Sequence, residues 1–206
     1  ADICAAKEHG KTAVVLGFQN TSAFEDRLDF IEIFKDAGVG VAQIPYNAQN
    51  LAGSGCYEST DSGLSDFGHE VVAEMNRVGM IVDCSHCAYR TTMEAMEVSA
   101  DPVVFSHSNP RAVWDHERNI TDDQALACAA TGGVVGVTGL GIFLGDNDSS
   151  TDRLVEHVCH YVELVGPEHV GIGLDHVHVA FDLAEEVSGR PDYWPPGQQY
   201  DTPGIT

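Results

Sequence analysis

The sequence has 206 residues, 43% of them hydrophobic, and its 32 acidic and 10 basic side chains give a formal net charge of −22. This length suits a single domain with a substantial core. A surface this negative repels phosphate backbones, so we expect no nucleic-acid partner. The sequence contains no apolar run of about 18 residues and no secretory signal at its start, so we expect no membrane span and a cytoplasmic location.

Short apolar runs alternate with amphipathic segments along the whole chain. The predicted strands, which are apolar on both faces, are 12–17, 39–44, 80–83, 102–105, 134–137 and 169–174. The predicted helices between them begin at Ser22, Ser65, Thr91, Thr121 and Thr151. Capping boxes with Glu25, Glu94 and Gln124 mark three of these starts, and glycines such as Gly38 and Gly79 mark helix ends.

This alternation predicts an α/β fold with a parallel sheet covered by helices. No Gly-x-Gly-x-x-Gly follows an early strand, which argues against a dinucleotide-binding fold. A closed (β/α)8 TIM barrel usually needs about 250 residues, and the pattern here is about two units short. We therefore expect residues 1–206 to form a single incomplete barrel domain, a fragment that lacks the first and last units. An incomplete barrel as such is the alternative.

Polar residues follow several of the predicted strands, where a barrel carries its chemistry. They include Gln19, Tyr46, the pairs Ser85-His86 and Ser106-His107, Asn109, and Asp175. One histidine after a strand is usually a packed or hydrogen-bonded side chain. Two at equivalent positions, together with an aspartate after a later strand, favour a metal site, because imidazole and carboxylate suit zinc and similar ions.

The six cysteines do not have the spacing of a disulfide-stapled scaffold, and we interpret them as reduced thiols. Cys128 and Cys159 fall on apolar faces of predicted helices. Cys84 and Cys87 have the spacing of a redox or zinc motif. However, Cys84 ends a strand instead of beginning a helix, and no second pair completes a four-thiolate site.

Several segments resemble the renal (membrane) dipeptidase family of zinc-dependent barrel hydrolases. The similarity runs from about residue 10 to 176 in the same order. The segments that carry it are DSGLSDFG (61–68), EMNRVGMIVD (74–83), Ser85-His86, FSHS (105–108), Arg118-Asn119, GGVVG (132–136) and HVGIGLD (169–175).

The resemblance implies a barrel of the metal-dependent hydrolase type that cleaves dipeptides, typically with two zinc ions. By this resemblance, His86 and His107 match the two histidine ligands of one metal. Asp175 matches the aspartate ligand of the other metal and a catalytic group that handles protons. Arg118 matches the arginine that binds the substrate carboxylate, a role that suits a planar guanidinium. Tyr46 and Asn109 are further substrate-binding candidates.

Three departures from the family pattern bear on activity. The chain contains no His-x-Asp pair, which the family uses as ligands on its first strand. Gln19 falls where a carboxylate bridges the two metals, and it is the poorest candidate ligand because an amide does not offset two dications. Tyr46 falls where the family has a substrate-facing histidine. A divergent branch of the family resembles this chain in having the glutamine.

The leading hypothesis is therefore a hydrolase that cleaves dipeptides or related small amides through a metal-activated water, with one or two divalent ions, zinc being expected. The alternative is a divergent pseudoenzyme or carboxylate-binding barrel with a degraded metal site. The expected partners are a small substrate with a free carboxylate and a second copy of the chain in a homodimer.

Overall fold

The computed structural model describes residues 2–176 together with 189, 190, 193 and 194. Its framework is a series of short strands: β1 (Leu16–Phe18), β2 (Val39–Gln43), β3 (Ile81–Asp83), β4 (Val135–Val137) and β5 (Val170–Ile172). β2 pairs with β1 and with β3, β4 pairs with β5, and every pairing is parallel. Residues 103–105 join the two groups through single parallel bridges from Val104 to Asp83 and from Phe105 to Val135. The result is a parallel array in chain order.

Helices fill the connections between these strands, as the sequence predicts for an α/β fold. They are α1 (Asp2–Glu8), α2 (Asp29–Asp36), α3 (Asp66–Val78), α4 (Tyr89–Val98), α5 (Asp122–Ala130), α6 (Gly141–Leu144) and α7 (Thr151–Val165), with 3-10 turns at Thr21–Phe24 and Pro167–His169. The sequence pattern does not predict α1 or α6. Within the described residues, no helix is both long and apolar enough to cross a membrane.

The core lies between the strands and the helices that cover them. The side chains in it that are less than 2% exposed include Ala42, Val82, Phe105 and Val135 from the strand layer, and Ile31, Val71, Met75 and Ala125 from the helices. Full burial of one large apolar side chain contributes about 1.5–3 kcal/mol. This packing holds the strands, and therefore the residues that follow them, in fixed positions.

Two predicted helix starts are confirmed at the level of single hydrogen bonds. The Ser65 hydroxyl accepts from the N–H of Gly68 at 2.9 Å, and Gly79 ends α3 with a φ of 72°. Thr121 and Gln124 form the capping box at the start of α5. These signals involve only neighbouring residues, so the sequence reveals them.

The predicted helix start at Ser22 is wrong. Asn20, two residues earlier, accepts from the N–H of Ser22 at 3.0 Å and begins a 3-10 turn. Glu25 has a φ of 53°, which interrupts the helix, and α2 begins only at Asp29. The Thr21 hydroxyl is bonded to the main chain that follows β2, so a tertiary contact holds this segment out of the predicted helix.

The capping box predicted at Thr91 and Glu94 is also wrong. Helix α4 already begins at Tyr89 and has no side-chain cap. The Thr91 hydroxyl accepts from the N–H of Ser54 at 3.1 Å, and Glu94 accepts from the N–H of Leu64 at 2.7 Å. Both side chains hold the long loop after β2 against α4.

The first and last strands are more exposed than predicted. Val14 and Leu16 are 80% and 53% exposed, and Ile172 on β5 is 59% exposed. The predicted strand 12–17 shortens to Leu16–Phe18, because within the described chain β1 pairs only with β2. The run 102–105 also falls short of a regular strand, since it makes only single bridges.

The array is nevertheless strongly curved. Gln19, after β1, donates from Nε2 to Asp175 Oδ1, after β5, at 3.3 Å. The two outer strands thus approach each other at their carboxyl ends, although no ladder joins them in the part of the chain that the structure describes. This part is an open arc, and the closed barrel is not observed.

All six cysteines are free, consistent with reduced thiols. Cys128 is buried as predicted, whereas Cys159 is exposed, and its predicted place on an apolar face is wrong. Burial, followed by the contact with Cys84, raises the pKa of the Cys87 thiol well above its ordinary value. A redox pair needs a lowered thiol pKa, so this environment does not favour the redox interpretation.

Candidate metal centre and substrate site

Three residues that follow strands meet at the carboxyl edge of the array. His86 comes after β3, His107 after residues 103–105, and Asp175 after β5. The Nε2 atoms of His86 and His107 lie 2.8 Å apart, and His107 Nε2 lies 4.0 Å from Asp175 Oδ2. The structure therefore brings together the three side chains that the sequence singled out as a metal-site constellation.

The hydrogen-bond partners of the two imidazoles determine where their protons lie. His86 Nδ1 lies 2.5 Å from Asn47 Oδ1, which can only accept, so His86 Nδ1 carries the proton. His107 Nδ1 lies 2.7 Å from the hydroxyl oxygen of Ser106, whose own proton goes to Asp83 Oδ2. Ser106 therefore accepts from His107 Nδ1. Each ring is left with a bare Nε2 lone pair directed toward the other.

Both imidazoles are neutral in this environment. Burial, followed by the positive charge of Arg118, holds the pKa of His86 well below its ordinary value. Burial and then Arg118 also lower the pKa of His107, although Asp175 and Asp83 oppose that shift. Two neutral rings with facing lone pairs repel each other, and a cation coordinated by both nitrogens removes the repulsion. This donor chemistry fits a divalent metal ion.

The ligand set is incomplete in the described part of the chain. There, no group of three or more His, Cys, Asp or Glu side chains is gathered around one point. Zinc sites in enzymes usually have three protein ligands and an open position for water. The described residues thus offer two imidazole donors and one nearby carboxylate.

Asp83 connects the ends of two neighbouring strands beneath the histidines. Its Oδ1 accepts from the N–H groups of Ser85 at 2.9 Å and Ser106 at 3.0 Å, and its Oδ2 accepts from the Ser106 hydroxyl. The Ser85 hydroxyl oxygen accepts from the N–H of His107 at 3.1 Å. Asp83 therefore orients His107 through Ser106. Sequence reasoning missed this role, although a carboxylate that ends a buried strand must find partners.

Three residues of the site have left-handed backbone conformations that non-glycine residues seldom adopt. The φ angles of Asn47, His86 and Asp175 are 60°, 61° and 57°. Each such conformation costs of order 1 kcal/mol or more and persists only where the surroundings impose it. Glu25, Asp146 and Asn147 share this conformation elsewhere in the chain, and at this edge it occurs at His86, at its partner Asn47 and at Asp175.

Gln19 lies beside Asp175, and its main chain is anchored by a residue that the sequence analysis did not select. Gln43, at the end of β2, is fully buried. Its Nε2 donates to the carbonyl oxygens of Gln19 at 2.8 Å and Pro45 at 2.9 Å. Gln43 therefore fixes the first two strand ends relative to each other.

Arg118 lies inside the protein and does not project from the edge of the array. It is 2% exposed, and it donates to the Ser108 hydroxyl at 2.9 Å and to the carbonyl oxygen of His107 at 2.6 Å. Its Nε is buried without a hydrogen-bond partner among the described residues. Arg118 is thus part of the wall beneath the histidines.

The two remaining substrate-binding candidates differ in their surroundings. The ring of Tyr46 stacks on His86, with 4.2 Å between ring centroids. Asn109 is fully buried. Its side-chain amide accepts from the N–H of Thr138 at 2.9 Å and donates to the carbonyl oxygen of Thr138 at 3.2 Å. Its amide therefore tethers β4 to the preceding strand end, and we do not retain it as a substrate contact.

Two cavities that share no lining residue open beside the cluster. The first, here called the Arg118 cavity, has a volume of about 480 Å³. Its lining includes Cys56, His86, Cys87, Arg111, Glu117 and Arg118. The second, the aromatic cavity, has a volume of about 360 Å³. Its lining includes Phe18, Gln19, Tyr46, Arg190, Tyr193 and Trp194.

Parallel strands separated by helices, with a histidine–carboxylate cluster at their carboxyl ends, define an α/β protein of the kind that holds metal or substrate at that edge. The chain belongs to the membrane dipeptidase family (Peptidase family M19), whose profile matches residues 1–192. The family resemblance in the sequence is confirmed.

Individual relatives agree with this assignment. An uncharacterized dipeptidase of Schizosaccharomyces pombe is 34% identical over 199 residues, which cover 92% of this chain and 48% of that protein. The crystal structure of an amidohydrolase from Pseudomonas aeruginosa is 43% identical with a TM-score of 0.87, and the match covers 94% of this chain and 59% of that one. The chain thus spans about half of the curated relative and somewhat more of the solved structure.

A more distant structure supports the fold alone. A metallo peptidase from Rhodobacter sphaeroides, solved with a phosphinate mimic of the dipeptide L-Ala-D-Ala, is 24% identical with a TM-score of 0.78. That match covers 84% of this chain and 52% of that one.

Proposed function

We propose that this chain is a single, incomplete (β/α)8 barrel domain of a metal-dependent hydrolase that cleaves dipeptides or related small amides. The observation that carries the proposal is the pair of buried, neutral imidazoles whose Nε2 atoms face each other at 2.8 Å. Packing of this kind is unfavourable for histidines with only a structural role. It is favourable for two ligands of one cation.

His86 and His107 would hold the ion, and we propose zinc. Asn47 and Ser106 each accept from the Nδ1 of one ring, the outer hydrogen bonds that metal-bound histidines typically make. A divalent ion bound there supplies Lewis-acid activation of water and of the scissile carbonyl. Because the chain covers only 48% of one curated relative, we propose that the whole protein provides the missing ligands.

Arg118 is the proposed anchor for the substrate carboxylate. Two of its nitrogens are bonded to Ser108 and to His107, which fixes the plane of the guanidinium. Its Nε lacks a partner among the described residues, and the side chain lines a cavity that also reaches His86. A fixed planar donor of this kind suits a carboxylate. The Schizosaccharomyces pombe relative, which is 34% identical, is named a dipeptidase, and this favours a dipeptide substrate here.

Asp175 is the proposed acid–base residue. Its side chain is 25% exposed, and one of its oxygens lies 4.0 Å from His107 Nε2. A carboxylate at this position can take a proton from the attacking water and deliver it to the leaving amine nitrogen. The hydrogen bond from Gln19 to its other oxygen orients the carboxylate.

One observation favours the second candidate, a carboxylate-binding barrel without hydrolytic activity. Gln19 stands where the family has a bridging carboxylate, and its amide is bonded to Asp175. A neutral amide leaves a second dication without charge compensation. In this alternative, Arg118 would still bind carboxylates, but amide bonds would not be cleaved.

The test uses the intact protein loaded with zinc and follows amino-acid release from dipeptides. His107→Ala should reduce hydrolysis by at least about 100-fold, because a ligand is lost. His69→Ala, at an exposed histidine on α3, is the matched control and should retain full activity. Carboxylate binding without any hydrolysis would favour the second candidate instead. The homodimer and the cytoplasmic location stay predictions.

A further inference from the structure

The two cavities contact the candidate centre through different residues. The Arg118 cavity reaches it through His86 itself. The aromatic cavity reaches it through Tyr46, whose ring stacks on His86, and through Gln19, which is bonded to Asp175. A substrate whose scissile bond lies at the cluster can therefore extend one end into each cavity.

The lining of the aromatic cavity has a distinct chemistry. The rings of Tyr46, Tyr193 and Trp194 meet edge to face, with centroid distances of 5.6 to 6.2 Å. The Arg190 guanidinium lies 4.5 Å above the centroid of the Tyr193 ring. None of the described residues that line this cavity carries a carboxylate, although the chain has a net charge of −22. Such a wall suits an apolar or aromatic group.

The position of Arg118 sets the direction of the substrate. If the terminal carboxylate of a dipeptide binds Arg118, the residue on the carboxyl side of the scissile bond occupies the Arg118 cavity. The residue on the amino side then extends past Tyr46. We infer that the aromatic cavity binds the side chain of the substrate's amino-terminal residue and selects large apolar or aromatic side chains there. This inference rests on the proposed dipeptidase function.

Trp194 and Tyr193 are thus specificity-determining residues, and neither was singled out by the sequence. They follow Asp175 along the chain and contact Tyr46 at the site. Contacts of an apolar side chain with such a pocket typically discriminate between substrates by about 10- to 200-fold.

The experiment compares kcat/KM for Phe-Ala and Gly-Ala in the intact, zinc-loaded protein. The wild type should prefer Phe-Ala by at least about tenfold, and Trp194→Ala and Tyr193→Ala should each reduce that ratio several-fold. Phe30→Ala is the matched control. Phe30 lies under Arg27 in the same cation–π arrangement, at 4.6 Å, but lines neither cavity, so the ratio should not change.

Calorimetry with phosphinate analogues of the same two dipeptides measures the preference without turnover and should follow the same order. Hydrolysis of both dipeptides with equal kcat/KM would overturn the inference and leave the proposed function intact. A preference for Glu-Ala that Arg190→Gln abolishes would also overturn it, since it would assign the cavity to acidic side chains. Failure to hydrolyse or bind any dipeptide would refute the proposed function itself. Circular dichroism of each variant identifies any that fails to fold, and Trp194→Phe then replaces Trp194→Ala.

Discussion

Asp83 and His107 are joined by a single intervening hydroxyl, that of Ser106. Ser106 donates to the Asp83 carboxylate and accepts from His107 Nδ1 at 2.7 Å, which leaves the His107 Nε2 lone pair directed at His86. The same carboxylate accepts hydrogen bonds from two main-chain N–H groups, those of Ser85 and Ser106. It therefore sets both the tautomer of the His107 ring and the path of the backbone that precedes His107.

Asp83→Asn should weaken zinc binding by about 10- to 100-fold, the range seen when partners of metal-bound histidines are changed. An amide cannot accept from Ser85, Ser106 and the hydroxyl as a carboxylate does, so His107 loses its fixed orientation. Competition with a chelator measures the affinity, and thermal melting reports the fold. Asp101→Asn, at an exposed position, is the control. Unchanged zinc affinity in a folded Asp83→Asn variant would show that Ser106 orients the ring without the carboxylate.

We expect Gln19 to limit the number of ions that the protein holds tightly. Because its neutral amide cannot offset a second dication, we expect at most one equivalent of zinc to survive dialysis. Gln19→Glu should increase the retained zinc, whereas Gln49→Glu, an exposed position in the loop after β2, should not. Elemental analysis provides the count. Two equivalents in the dialysed wild type would contradict the prediction.

Arg118→Ala should reduce the affinity for a dipeptide or a carboxylate mimic by about 10- to 150-fold, because a charge-assisted bond of roughly 1.5–3 kcal/mol is lost. Arg118→Lys should recover only part of this, since an ammonium lacks the planar two-pronged geometry. Calorimetry measures the affinities. Arg77→Lys, at a surface arginine paired with Glu32 and Glu74, is the control. Equal affinities in all folded variants would assign Arg118 a purely structural role.

Gly173→Ala should destabilise the protein by about 1–3 kcal/mol, the usual cost of overpacking, and should displace Asp175. A Cβ at this position would lie 1.9 Å from the carbonyl oxygen of Ser106, which is backbone and cannot rotate away. Gly171→Ala is the matched control in β5, because its nearest contact is a Val134 side-chain atom at 3.3 Å. Denaturant unfolding measures both variants. Equal free energies of unfolding for Gly173→Ala and Gly171→Ala would contradict the predicted clash with Ser106.

Asp123 should contribute to stability in a pH-dependent way. The hydroxyl of Thr121, followed by that of Tyr89, lowers the pKa of the Asp123 carboxyl. The unfolded pKa is about 3.9, so the contribution is complete above that value and is lost as the pH falls through the lower folded pKa. Because Asp123 is exposed, Asp123→Asn should cost less than about 1 kcal/mol at pH 7. Urea unfolding at pH 7 and at successively lower pH measures the difference, which should shrink as the pH falls below the unfolded pKa of about 3.9. A constant difference across this range would refute the assignment.

The sequence by itself determined the order of strands and helices, the caps of α3 and α5, and the positions of His86, His107 and Asp175 after their strands. These features depend on periodicity and on partners a few residues away, so they can be predicted from the sequence alone. The predictions that failed, at Ser22, Thr91 and Glu94, relied on the same local signals. Thr91 and Glu94 are bonded to distant main-chain groups instead, whereas at Ser22 the neighbouring Asn20 begins a 3-10 turn.

Only the tertiary structure decided how the site is held. His86 finds Asn47 at a separation of 39 residues, and Gln19 finds Asp175 at 156. Arg118 is buried because its guanidinium donates to His107 and Ser108, which follow the preceding strand. The residues around position 118 give no sign of these contacts. The order of the strands places His86, His107 and Asp175 at the carboxyl edge of the array. The tautomers, orientations and neighbours of these side chains depend on contacts between segments that are far apart in the sequence.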